Sequence, residues 1–364
     1  MTSRAADGRA GATRRLAASG LIALALGWMP GCGEGDPPAD PAAAEARPGG
    51  GASPARRSAD AAAVDEALGR LQQQYLQLEQ RDADLGGVLV RVHEFVAAHP
   101  DHADARLLLG QVLLSAGRVE PAYQQIDRAT DLAPDRAAWH ELAGTLAAKM
   151  RRYDEAESHY RRAIELKPGD AKPRLLLAGV TAEQDRYEQA EALLTEALEI
   201  DASLHRAHHT LAGVALERGR FVEARTHARR AIELVRGGDA SAQRARRIYK
   251  LMLSRVLRAE NRPADALDVL RSVEPLAQRT HDTVLEAEAE IHAELGRPEA
   301  AARVYERLIV VRPTDLDLHE RAAKWHLEAG NLDAVRSLER HAREVNPAAP
   351  QTRRIREMLE AATG

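Results

Sequence analysis

The chain has 364 residues, 51 of them basic and 55 acidic, for a formal net charge of -4 at neutral pH. So slight an acidic excess argues against a general nucleic-acid binder, which needs a basic surface to neutralise phosphates. A single cysteine excludes an intrachain disulfide, and an aromatic content of 3% leaves little with which to line a glycan-stacking groove.

The first predicted element is an address. Arg4, Arg9, Arg14 and Arg15 make a positively charged start, and Leu16 to Trp28 then run without a charge. This is the charged region and short apolar region of a secretory signal, and it falls short of the roughly 20 apolar residues that a membrane-spanning helix needs. The lone thiol follows at once, in Met29-Pro30-Gly31-Cys32. Together, the basic start, the apolar run and the small Gly31 before Cys32 resemble the lipobox of bacterial lipoprotein signal peptides. That resemblance implies removal of residues 1–31 and acylation of Cys32 as the new N-terminus. It also implies durable attachment, since two or more acyl chains anchor where one binds only marginally. With Gly33 next, it implies a place on the periplasmic face of the outer membrane. The alternative is an ordinary secretory signal with an incidental thiol. Residues 32–60, rich in Pro, Gly, Ala and Ser with no large apolar side chain between 33 and 60, are expected to form the lipidated end and a flexible tether.

Beyond the tether the composition turns to Ala, Leu, Arg and Glu, all good helix formers. One fixed interval runs through it: Ala122, Ala156, Ala190 and Ala224; Ala129, Ala163, Ala197 and Ala231; Pro100, Pro134 and Pro168. The same interval returns as Gly296 and Gly330, and as Pro313 and Pro347. Trp139, Leu142, Ala143, Leu146, Ala156, Tyr160 and Pro168 then follow the order of the tetratricopeptide signature, W-x2-L-G-x2-Y, A-x3-F, P. In spacing and in signature the region resembles a tetratricopeptide-repeat (TPR) protein. The resemblance implies an all-α, right-handed superhelical solenoid of about seven to eight TPR-like helix pairs with a C-terminal capping helix. Its physical logic stands without the name: small Ala residues let two amphipathic helices approach, Pro ends the second, and stacked neighbours supply the core that one unit lacks.

An atypical first unit is expected at about 65–102, then units at 103–136, 137–170, 171–204 and 205–236. At Arg236-Gly237-Gly238-Asp239 the beat slips, and the next repeat Ala is Ala266. The extra residues form either a loop or a backward extension of the next helix from about Ser241. Units at about 241–279, 280–315 and 316–349 and a polar last helix, Gln351 to Ala362, complete the chain. The solenoid thus reads as two subdomains, 65–236 and 241–363.

No HExxH, GxGxxG, phosphate loop or GxSxG motif occurs, and no stretch remains for a separate catalytic domain. We therefore expect no enzyme, no catalytic residues and no cofactor. His205, His208 and His209 lack a third ligand at helical spacing, so no metal is expected there, nor at His99 and His102. Trp139 and Trp325 read as core.

Two groups are candidates for partner contact. The triplet Leu-Ala-Gly recurs at 142–144, 177–179 and 211–213, although Gly within a helix costs roughly 1 kcal/mol. The repeat register implies a concave groove floored by Gly144, Gly179 and Gly213, with His140, Leu175 and His209 one turn earlier; close packing between adjacent first helices is the alternative. In SAQRARRIYKLMLSRVLRAEN, Leu251, Arg255 and Arg258 turn into the same groove in that register, beside Glu286, Glu290 and Glu294. These are either inter-repeat ion pairs or a site for an anionic partner. The whole reads as an exported, lipid-anchored scaffold or adaptor that binds protein or peptide partners in a bacterial cell-envelope assembly of the pilus, secretion or polysaccharide-export type. Membrane contact would come through its lipid, with no nucleic acid and no metal. The alternative is a docking or regulatory subunit of a separately encoded envelope hydrolase or glycosyltransferase.

Overall fold

Short helices, one after another and joined by tight turns, account for the architecture. The computed structural model describes residues 54–81, 83–273 and 282–363; the signal segment 1–31 and the acylation candidate Cys32 lie outside these. Among the described residues there are seventeen helices and no strand, and no helix is long and apolar enough to cross a membrane. The helices are α1 (Pro54–Gln80), α2 (Gly86–Ala98), α3 (Ala103–Ser115), α4 (Val119–Leu132), α5 (Ala137–Lys149), α6 (Tyr153–Leu166), α7 (Ala171–Glu183) and α8 (Tyr187–Ile200). They continue as α9 (His205–Glu217), α10 (Phe221–Leu234), α11 (Ala240–Ala259), α12 (Pro263–Arg271), α13 (Asp282–Glu294), α14 (Pro298–Val311), α15 (Leu316–Glu328), α16 (Leu332–Val345) and α17 (Pro350–Thr363). They pair in order, and the chain divides into two compact units between Ala202 and Ser203. The 236–239 break therefore lies within the second unit.

The periodic alanines lie on the second helices α4, α6, α8 and α10. All eight, Ala122 to Ala224 and Ala129 to Ala231, are 0% exposed. Only a methyl-sized side chain fits such a position, because a larger one forces strain into a close-packed interior. Around them the first unit buries Val88, Val92, Leu108 and Val112 towards its start and Ile126, Leu146, Tyr160 and Leu176 further on. In the second unit Met252, Val256, Leu267, Leu270 and Ile291 form one cluster and Leu285, Leu308, Leu318, Val335 and Ile355 another. Each fully buried side chain of this size contributes about 1.5–3 kcal/mol.

From α3 onward the turn inside each pair has one geometry. The second residue after each first helix has positive φ: Gly117, Arg151, Asp185, Gly219, Asn261, Gly296 and Gly330, with φ between 59° and 74° in all but the last, at 75°. The following amide then reaches back across the last turn, as in Arg118 N to Leu113 O at 2.8 Å, Arg152 N to Ala147 O at 2.9 Å and Arg220 N to Ala215 O at 2.8 Å. This is the Schellman closure, which satisfies a carbonyl the helix end would leave orphaned. Side-chain caps open several first helices, with Asp170 accepting from Lys172 N, Asp315 from Asp317 N and Asp239 from Ala242 N.

Two boundaries differ from the sequence reading, and at a third the structure selects the helix extension from the two alternatives that reading left open. Helix α1 begins at Pro54, inside the stretch read as tether; proline suits a first helical position, and no further Pro or Gly interrupts 55–68. The extra residues before Ala266 lengthen a helix rather than a loop: α11 has 20 residues where α3, α5, α7, α9, α13 and α15 have 13. The last helix starts one residue earlier than expected, at Pro350, and ends one later, at Thr363.

Candidate functional site

First helices of neighbouring pairs stand side by side, α5 with α7 in the first unit and α9 with α11 and α11 with α13 in the second. The candidate residues lie on these first helices, within one unit or the other, and most of them are buried. Gly144 is closed off from below: a β-carbon there would meet Cε1 of Tyr160 at 2.8 Å and Cδ1 at 2.9 Å. Tyr160 belongs to α6, the second helix of the same pair, is fully buried, and donates its hydroxyl to Thr145 Oγ1 at 3.2 Å. The missing side chain thus admits a tyrosine ring. This contact lies within one helix pair, and neither sequence reading of Gly144, groove floor or packing between adjacent first helices, includes it. Gly110, one period earlier, is equivalent, with Ile126 in place of the tyrosine.

Leu175, Gly179 and Gly213 are buried. His140 is 7% exposed and His209 2%. His209 packs against Tyr249 of α11 with ring centroids 4.8 Å apart and the rings tilted by 35°. Burial, reinforced by Arg255, Arg206 and His205, pushes its pKa down to about 3, so the ring is neutral at physiological pH. Among the described residues its Nε2 has no hydrogen-bond partner. On α10 and α9, His227 and His208 meet through their Nδ1 atoms at 3.0 Å, and burial, with His227 and Arg230 adding to it, lowers His208 to about 4.

Leu251, Arg255 and Arg258 are only half-buried, and the two arginines differ sharply. Arg258 is bound to α13: Nε to Glu294 Oε1 at 3.0 Å and Nη1 to Glu290 Oε2 at 2.9 Å, with Nη2 also on Glu294. Burial opposes its charge, but these carboxylates hold it protonated above the usual arginine range. The ion-pair reading therefore describes Arg258, with Glu290 and Glu294 as the partners; Glu286 goes instead to Arg312 at 2.6 Å. Arg255 forms no ion pair among the described residues. Burial lowers its pKa, opposed by the more distant Glu217 and Glu290. A half-buried guanidinium with five donors and no bound carboxylate is an unusual arrangement, because desolvating an unpaired charge costs free energy.

The sequence did not reveal what the second helices contribute. Tyr160 and His159 reach the first-helix residues Gly144 and His140 from an antiparallel neighbour, and no spacing within a single helix signals such a pair. Among the described residues no group of three or more His, Cys, Asp or Glu could hold a metal ion.

Comparison with known proteins agrees with this architecture. Models of the tetratricopeptide repeat match residues 147–208 and 182–241, and a model described as anaphase-promoting complex, cyclosome, subunit 3 matches residues 89–163. No curated protein sequence matches the chain. Among solved structures it is similar to PilW, described as a widely conserved type IV pilus biogenesis factor, at 16% identity and a TM-score of 0.50 over 60% of this chain and 97% of that one. It is also similar to pilF of Pseudomonas aeruginosa, at 17% identity and a TM-score of 0.47 over 61% and 96%. A third similar structure is YrrB, described as a TPR protein with an unusual peptide-binding site, at 19% identity and a TM-score of 0.41 over 54% and 97%.

Proposed function

Because this chain is a tetratricopeptide-repeat protein, we propose that it acts as a non-catalytic adaptor that captures a protein or peptide partner on first helices of its second unit. We place it in the bacterial cell envelope, tethered through acylated Cys32 at the periplasmic face of the outer membrane and serving an assembly of the pilus, secretion or polysaccharide-export kind. The basic start, apolar run and Gly31-Cys32 support the anchor, and the fold likeness to a pilus biogenesis factor is compatible with the setting.

Arg255 is the observation that carries the binding role. Its guanidinium is partly desolvated, has no carboxylate partner among the described residues, and adjoins Arg258, whose donors Glu290 and Glu294 occupy. An acidic side chain or terminal carboxylate of a partner would supply the missing acceptor in the paired geometry that arginine favours. Leu251, one turn earlier on α11, offers an apolar contact beside it.

Affinity capture from membranes with the lipidated protein, at low salt where charge contacts are least screened, tests this reading. Arg255→Glu is expected to lose the captured partner while its circular dichroism is unchanged, and undiminished capture would place the binding surface elsewhere. In the same cells Cys32→Ala is expected to lose labelling by a palmitate analogue and to leave the membrane fraction.

A further inference from the structure

Helix α11 carries six cations, Arg244, Arg246, Arg247, Lys250, Arg255 and Arg258, and no acidic residue from Ala240 to Ala259. The fold uses most of them. Arg246 donates to the Val235 carbonyl at 2.9 Å and Lys250 to that of Ser272 at 2.7 Å. Those two residues cap the C-termini of α10 and α12, where carbonyls lack helical partners. Arg258 is bound to Glu290 and Glu294, and Arg247 has an interaction of its own. Arg244 and Arg255 remain, with no hydrogen bond or ion pair among the described residues.

These two share one stripe of the helix. Arg244, Arg247, Leu251 and Arg255 follow the three- and four-residue intervals that bring side chains to one face. At 1.5 Å per residue, Arg244 and Arg255 stand about 16.5 Å apart along the axis, with Leu251 between them. Arg244 is exposed, whereas Leu251 and Arg255 are half-buried. The surroundings of Arg255 are short of negative charge. It joins Arg206 and His205 in opposing charge on His209. The carboxylates that favour its own charge, Glu217 and Glu290, are engaged elsewhere, Glu290 with Arg258 and Glu217 in an interaction of its own.

We propose that this face of α11 binds an extended acidic segment of the partner through two of its carboxylates, one on Arg255 and one on Arg244, with an apolar side chain against Leu251. Resting on the adaptor role proposed above, this site sets the spacing of the partner's acidic residues. An extended strand advances about 3.3 Å per residue, so two acidic residues five positions apart span the same distance of about 16.5 Å. A flat anionic surface such as a bilayer would meet the exposed Arg244 and leave the recessed Arg255 unpaired, whereas a single extended chain reaches both. Arginine at each end offers the paired donors that a carboxylate accepts.

The test is a nuclear magnetic resonance titration of the full chain carrying Cys32→Ala and nitrogen-15 at arginine, at low salt, where charge contacts are least screened. The probes are hexapeptides, acetylated and amidated so that no terminal charge contributes. One is EALLAE, with its glutamates five positions apart and leucines that serve either chain direction; the other is AALLEE, of the same composition with the glutamates adjacent. EALLAE is expected to bind at least about threefold more tightly and to shift the Nε–H resonances of both Arg244 and Arg255. Arg255→Gln should weaken it about tenfold, as for a charge-assisted contact at a half-buried site. Arg244→Gln should weaken it about twofold to fivefold, as for an exposed pair, and bring the two peptides to equal affinity. Equal binding of both peptides by the wild type, no binding of either, or a loss in Arg255→Gln with none in Arg244→Gln would overturn the two-carboxylate site and leave the adaptor role standing. Binding to phosphatidylglycerol vesicles that both variants lose, without peptide binding, would assign the face to lipid and overturn it as well. The adaptor role itself fails separately, through undiminished partner capture by Arg255→Glu.

Discussion

At Gly144 a single missing methyl group decides how two helices meet. An alanine there regains helix propensity of roughly 1 kcal/mol, yet its β-carbon would lie 2.8 Å from the Tyr160 ring, which is fully buried and tied to Thr145 and so has no room to retreat. Overpacking of this kind costs about 1–3 kcal/mol, so Gly144→Ala is expected to lower stability by about 1 kcal/mol in urea denaturation despite the better helix former. His209 gives a second residue-scale expectation. Its pKa is about 3 in the fold against about 6.5 unfolded. The unfolded state therefore binds the extra proton, and stability is full above pH 6.5 and falls as pH drops towards 3. The slope is at most about 1.4 kcal/mol per pH unit for that ring. His208, at about 4, acts in the same direction. His209→Gln should flatten the fall in urea midpoint between pH 6.5 and 4, and an unchanged slope would show that the titration belongs to other groups.

At the scale of elements, the Schellman turn explains why the helix pairs resemble one another so closely although their loops differ in sequence. The left-handed position is glycine in four repeats and Arg151, Asp185 or Asn261 in the others. Asn and Asp enter this region through local side-chain hydrogen bonding, but arginine has no such means and bears about 1–2 kcal/mol of steric cost. Glycine removes that cost while losing about 0.5–1 kcal/mol to chain entropy. Arg151→Gly is therefore expected to raise stability by up to about 1 kcal/mol, read as a higher urea midpoint with an unchanged m-value. The long α11 follows from the same reasoning at the opposite end of a helix: Gly237 takes the positive φ of 82°, Asp239 caps Ala242, and helix formation runs on from Ala240.

For the molecule as a whole, two compact units divided between Ala202 and Ser203 imply two separately measurable stabilities, as expected for a solenoid held by neighbour contacts. Helix α17 closes the second unit by covering its last pair with Ile355, which is fully buried, and with Thr352, whose hydroxyl donates to the carbonyls of Ala342 and Asn346. Deleting residues 350–363 would expose the apolar face around Val335, Leu338 and Ala342. The expected outcome is a lower calorimetric transition for the second unit, with the first unit's transition unchanged and more aggregation; equal shifts in both would show that the two unfold as one.

The repeat was legible in the sequence because it is a local property. Ala122 to Ala231 recur at one fixed interval, since every pair solves the same close-approach problem and only a methyl group solves it. The paired helices, their order and the polar closing helix follow from that period together with Pro and Gly as punctuation. What the period could not convey is which groups meet across antiparallel helices, because that depends on rotation about each helix axis and on side chains from different elements. Gly144 against Tyr160, His140 against His159, Arg258 bound to Glu290 and Glu294 while Arg255 forms no ion pair among the described residues, and a unit boundary at Ala202 rather than at the Gly-Gly break are all such outcomes. Sequence periodicity fixes distances along a helix, whereas packing between helices is settled by the whole neighbourhood of each side chain, and only the folded structure specifies that.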